Sequence, residues 1–81
     1  MTVRVRMNRK AVLKALAKRN MSLHRLAIKA GISYSYISNI MCGARFPSPE
    51  IRARLQKALQ PLTFDDIFII EEMEEENING K

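Results

Sequence analysis

The spacing of hydrophobic positions along this chain changes period twice. Val3, Val5 and Met7 alternate with Arg4 and Arg6, the period-two pattern of a half-buried strand over residues 3–7. From Asn8 the spacing turns helical. Asn8 is placed to cap a helix over residues 9–19 with Val12, Leu13, Leu16 and Ala17 inward, and Asn20 suits the left-handed position that ends it. Ser22 caps a second helix, with Leu23, Leu26, Ala27 and Ala30 inward and Gly31 closing it. Only Ile32 separates Gly31 from the next cap, Ser33. The third helix, 34–42, buries Ile37 and Ile40 and stops at Gly43, and residues 44–47 form a loop. Ser48 caps a fourth helix with Pro49 at its first position and Glu50 near its positive end. Ile51, Leu55, Ala58 and Leu59 make its apolar face, and Pro61 stops it. Thr63 caps a short turn through Asp65 and Asp66. The apolar run 67–70 then offers an antiparallel partner for 3–7. Residues 71–81 are acidic and end in Asn-Gly-Lys, the composition of a flexible tail. The expectation is an all-α, five-helix domain over residues 1–70. A small two-stranded element joins its ends, and an acidic tail follows over 71–81.

Charge sharpens this picture. Residues 1–60 carry 13 Lys and Arg against one acid, Glu50, whereas residues 61–81 carry seven acids against Lys81. So basic a segment repels itself unless a polyanion or its own acidic end offsets it, and phosphates of nucleic acid release counterions when neutralised. An anionic membrane surface is the competing partner. It requires one broad apolar helical face beside the basic residues, and the chain divides instead into short capped helices. No apolar run approaches the roughly 20 residues of a membrane span, and none follows the basic N-terminus as in a signal peptide. The lone cysteine, Cys42, forms no internal disulfide framework. A soluble cytoplasmic protein is expected, with no membrane association.

The stretch from Ser22 to Gly43 carries the chemistry. Ala27 lets two helices cross closely, Gly31 supplies a tight turn, and Ile32, Ile37 and Ile40 anchor the third helix on the second. The free face of that helix then bears Tyr34, Ser35, Ser38 and Asn39. A short, polar, uncharged face suits base edges in the major groove, and the surrounding Arg and Lys supply phosphate affinity.

In these residues the chain resembles the Cro/phage-repressor (Xre) family of helix-turn-helix regulators. The likeness covers roughly residues 9–68. It includes Gly-x-Ser-x-x-Tyr-Ile-Ser at Gly31–Ser38, the Pro-Ser helix start that follows, and Thr-Phe-Asp-Asp-Ile-Phe at Thr63–Phe68. The resemblance implies a five-helix domain whose third helix enters the major groove of a palindromic operator bound by a homodimer. It assigns base contacts to Tyr34, Ser35, Ser38, Asn39 and Arg45, and phosphate contacts to the start of helix two, the end of helix three and the next loop. Two departures stand out. Leu23 occupies a position where the family commonly has a Gln that holds a phosphate, and Met41-Cys42-Gly43 stands where Glu-Arg-Gly is frequent. Phosphate binding then falls to Ser22, His24 and Arg25, with Ser33 and Tyr36 at the next helix start, and Arg45 gains importance.

Several residues carry two readings. Asn39 either bonds adenine or is an ordinary solvated side chain. His24 lacks metal-ligand partners and faces solvent or phosphate. Cys42 is a small core residue or a redox switch. Arg4 and Arg6 line the exposed face of a strand or form a minor-groove arm. The tail solubilises, or folds back on the basic surface. The function expected is a sequence-specific double-stranded-DNA-binding transcriptional regulator, a repressor of phage or mobile-element type. It calls for no cofactor or metal, and for no enzymatic chemistry, because no nucleophile–base arrangement is visible. The alternative is an antitoxin-like module that binds a partner protein through residues 67–81 and autoregulates.

Overall fold

The computed structural model describes residues 2–73. They form strand β1 (Thr2–Met7), helices α1 (Arg9–Lys18), α2 (Leu23–Ala30), α3 (Tyr34–Met41), α4 (Pro49–Ala58) and α5 (Phe64–Ile67), and strand β2 (Phe68–Met73). Each of the four longer helices starts at a side chain that accepts from an otherwise unpaired amide. Asn8 accepts from Ala11 N–H (3.1 Å), Ser22 from Arg25 (3.0 Å), Ser33 from Tyr36 (3.1 Å) and Ser48 from Ile51 (3.3 Å). Each cap contributes about 1 kcal/mol. Thr63 and Asp66 close a capping box at α5, the Asp66 carboxylate accepting from Thr63 N–H (2.8 Å) and hydroxyl (2.9 Å). These bonds hold the Asp66 carboxyl below its ordinary pKa, the backbone donor first. Where chain direction changes, Asn20, Gly31 and Gly43 take the left-handed conformation at φ 54°, 74° and 86°.

The helices enclose one cluster in which Val12, Leu26, Ile37, Ile40, Leu55, Leu59 and Ile67 are fully buried. Burial of a side chain of this size stabilises by about 1.5–3 kcal/mol. The inward stripes of α2, α3 and α4 follow the sequence expectation, with Met41 also buried. Helix α1 does not. Leu13 and Ala17 are exposed, and the covered side runs along Val12 and Leu16 with Ala11 and Ala15 on its flank. The stripe is narrow and turned towards the Ala11–Ala15 edge, so a four-residue inner face overstates what its neighbours cover. Cys42 is exposed as well, not a core residue. Met41 completes the inward i, i+3, i+4 set with Ile37 and Ile40, and Cys42 falls beyond it as the cap of α3.

Two arginines brace this frame. Arg19 Nη2 donates to the carbonyls of Leu59 and Gln60, both at 2.8 Å, where α4 ends. Arg54 Nη1 donates to the Gly31 carbonyl at 3.1 Å, where α2 ends. A cation at a helix C-terminus meets the negative end of the helix dipole.

The strands pair antiparallel, as expected, from Met7↔Phe68 in the core outward to Thr2↔Met73. Asn8 N–H donates to the Ile67 carbonyl (2.7 Å), locking the junction where ribbon and helices meet. The second strand is longer than expected and begins one residue later: Ile67 ends α5, and Glu71–Met73 continue the ladder instead of starting a tail. Residues 74–81 of the expected tail lie outside the described residues. Alternation puts Val3, Val5 and Ile70 on one face and Arg4, Arg6 and Glu71 on the other. Glu71 accepts from Arg4 Nε at 3.0 Å and from Arg6 Nε, and these bonds, Arg6 first, hold its carboxyl below the usual range.

A group whose pKa is depressed on folding contributes stability above its unfolded pKa and loses it as pH falls through the folded value. Glu71→Gln is therefore expected to lower the melting temperature at neutral pH. The difference from the unaltered protein should vanish on acidification below the ordinary carboxylate range. A difference that persists at the lowest pH would show that Glu71 acts by something other than its charge.

Candidate nucleic-acid interface

Helices α2 and α3 are joined by three residues, Gly31, Ile32 and Ser33. The Ile32 N–H closes on the Ala27 carbonyl (3.0 Å) and the Gly31 N–H on that of Ile28 (3.1 Å), the bonds of a helix ended by a left-handed residue. A Cβ at Gly31 would meet Arg54 Nη1 at 3.7 Å, ordinary contact, so glycine is required there for its φ and not for space. Ser33 starts α3 at once. With Ile37, Ile40 and Met41 turned inward, Tyr34, Ser35 and Asn39 are left exposed and Ser38 half-buried.

All but one of the residues singled out from sequence fall into three groups. Ser33, Ser35, Tyr36, Asn39 and Arg45 line one shallow cleft of about 240 Å³ at the outer side of α3. Arg45 is held there by its own backbone, whose N–H donates to the Asn39 carbonyl (3.2 Å), and its guanidinium carbon lies 5.1 Å from the Tyr36 ring centroid. The second group is a pair. Tyr34, 43% exposed, stacks on His24 with ring centroids 3.8 Å apart and planes 7° from parallel. The first residue of α3 is thereby fixed against the start of α2. The third group, Ser22 and Arg25, borders a separate depression with Arg19, Asn20 and Met21. Ser38 does not line the cleft.

Chemically this surface is rich in donors and lacks negative charge. No Asp or Glu occurs between residues 20 and 49, while Arg25, Lys29 and Arg45 do. The Ser22 and Ser33 hydroxyl lone pairs serve the helix caps, which leaves each O–H free to donate to an oxygen anion. Among the described residues no three His, Cys, Asp or Glu side chains gather as a metal would need, and no helix is long and apolar enough to cross a membrane.

Sequence reasoning passed over two residues that shape the surface. Phe46, 41% exposed, lies under the Arg4 guanidinium at 4.5 Å and so joins the ribbon to the loop after α3. A lone aromatic in a polar loop was the available signal. Arg54 secures the turn through the Gly31 carbonyl, and nothing in its helical spacing marks that contact. No protein-family model matches this chain, and no curated protein or solved structure matches it either.

The His24–Tyr34 stack is expected to couple the two side chains by about 0.5–1.5 kcal/mol. Urea denaturation of His24→Ala, Tyr34→Ala and the double variant measures it. Strict additivity would mean that the rings are neighbours without holding α3 to α2.

Proposed function

We propose that this protein is a sequence-specific double-stranded-DNA-binding transcriptional regulator of the Cro/phage-repressor type, acting by occupying an operator. The observation that carries the reading is the cleft on α3, where Ser33, Ser35, Tyr36, Asn39 and Arg45 converge on a surface without a carboxylate. In this reading α3 lies in the major groove. Asn39 bonds a purine edge, Arg45, Ser35, Ser38 and Tyr34 make the remaining base contacts, and the amide and guanidinium groups supply direct readout. Ser22, His24, Arg25, Ser33 and Tyr36 hold the flanking phosphates and set the register. The lack of an acid from residue 20 to 49 supports it, since one carboxylate facing the backbone would offset a phosphate contact. As a homodimer on a palindromic operator, the protein would set its two α3 helices about 34 Å apart, one turn of DNA.

A second reading, an antitoxin-like module, draws on a different observation. Val3 and Ile70 are 58% and 54% exposed on one face of the ribbon, apolar surface suited to a protein partner or a second copy.

Selection of bound duplexes from a random library tests the first reading. An enriched sequence is expected, with Asn39→Ala reducing its preference over a scrambled duplex by about 1–3 kcal/mol, roughly 5- to 150-fold. Equal binding to selected and scrambled duplexes would sink it. Isolation of the protein with a stoichiometric partner in that case would favour the second.

A further inference from the structure

The ribbon carries a cationic face for which the reading above has no role. Arg4 and Arg6 project from the same side of β1 and both bond Glu71, which pairs with Arg4 across the ladder. Each uses only its Nε for Glu71. A guanidinium has five N–H donors, so the Nη groups of both residues have no other bond among the described residues. The two side chains remain 45% and 41% exposed. Glu71 therefore acts as a clamp more than as a neutraliser. It holds two guanidiniums side by side with their outer edges open, and the trio keeps a net positive charge. Such paired forks match the oxygens of a phosphate.

This face is linked to the α3 cleft through the loop that follows α3. The Arg4 guanidinium lies over Phe46, and the preceding residue, Arg45, lies over Tyr36 within the cleft. Two successive loop residues thus place one arginine–aromatic contact beside another, with no acid in the loop between them. Holding each guanidinium over a ring reduces the rotamer freedom that phosphate binding would otherwise have to remove.

We propose that Arg4 and Arg6 form a second DNA-phosphate-binding surface, preset by Glu71 and Phe46, which extends the α3 interface along the duplex backbone. The proposal rests on the DNA-binding reading of the α3 cleft. It does not require that cleft to be sequence-specific, because phosphate contacts carry no sequence information. A purely structural role for the trio, holding the two strands together, is the competing account.

Fluorescence anisotropy of the full chain with a random-sequence duplex of about 30 base pairs, between 50 and 200 mM salt, separates the accounts. Each phosphate contact contributes about 0.9 to the slope of log K against log salt. Arg4→Gln and Arg6→Gln should each flatten the slope by about that amount, while Arg4→Lys, which keeps the charge, should leave it unchanged. Lys14→Gln is the charge-matched control. Lys14 lies in the α1–α5 groove with Lys18, Leu62 and Asp66, which shares no residue with the cleft or ribbon, and its slope should not change. Circular dichroism verifies that each variant is folded, and if one Gln variant loses the ribbon, the slope of the other decides. Slopes for Arg4→Gln and Arg6→Gln equal to that of Lys14→Gln, with the unaltered chain still binding, would overturn the second surface alone. Absence of binding by the unaltered chain to any duplex would overturn both this surface and the DNA reading beneath it.

Discussion

The backbone of Gly31 is the constraint on which the outward surface depends. At φ 74° it reverses the chain so that only three residues separate α2 from α3. An L-residue held there is strained by about 1–2 kcal/mol. The turn is secured from both sides, by Ile32 N–H on the Ala27 carbonyl and by Arg54 reaching from α4 to the Gly31 carbonyl. So short a connection has no slack. Once Ile37, Ile40 and Met41 are buried, the rotation of α3 about its axis is set, and Ser35 and Asn39 have only the solvent side to occupy.

Much of this was legible from local chemistry because caps and left-handed positions are decided by residues within one turn. Asn8, Ser22, Ser33 and Ser48 each cap as expected, and Asn20, Gly31 and Gly43 each adopt positive φ. The departures come where the answer lies across the fold. Leu13 is apolar and helical, yet α1 is covered on the side of Ala11 and Ala15, which its own spacing does not reveal. Glu71 and Glu72 resemble the start of an acidic tail until Arg4 is placed opposite Glu71 in the ladder. Ile69, Glu71 and Met73 share one face of β2, a mixed apolar and acidic face that carries no period-two signal for a strand. For the candidate site, sequence identified the cleft residues and missed what positions them. Phe46 and Arg54 act through side-chain contacts with elements distant in sequence.

The basic residues divide by employment. Arg19 and Arg54 are spent on carbonyls at the ends of α4 and α2, where they meet the negative ends of helix dipoles. Arg4 and Arg6 share Glu71 and retain open donors. Arg45 stands at the α3 cleft and Arg25 at a separate depression, neither with a carboxylate partner among the described residues, and Lys29 lies exposed on α2. A fold that sets some cations against helix C-termini offsets part of its own repulsion.

The ribbon also has a consequence for the order in which the chain assembles. Arg4 and Glu71 are separated by 67 positions, so pairing β1 with β2 closes a loop around every helix of the described chain. Loop-closure entropy weighs against such a contact until the intervening helices have shortened the path. The helices can nucleate locally from their caps; the ribbon cannot. Its inner end is locked into the core through Met7 and Phe68, and further out Arg4 rests on Phe46. The ribbon is therefore expected to close after the helices have formed. A growing chain would then have its α3 surface in place before its two strands had met.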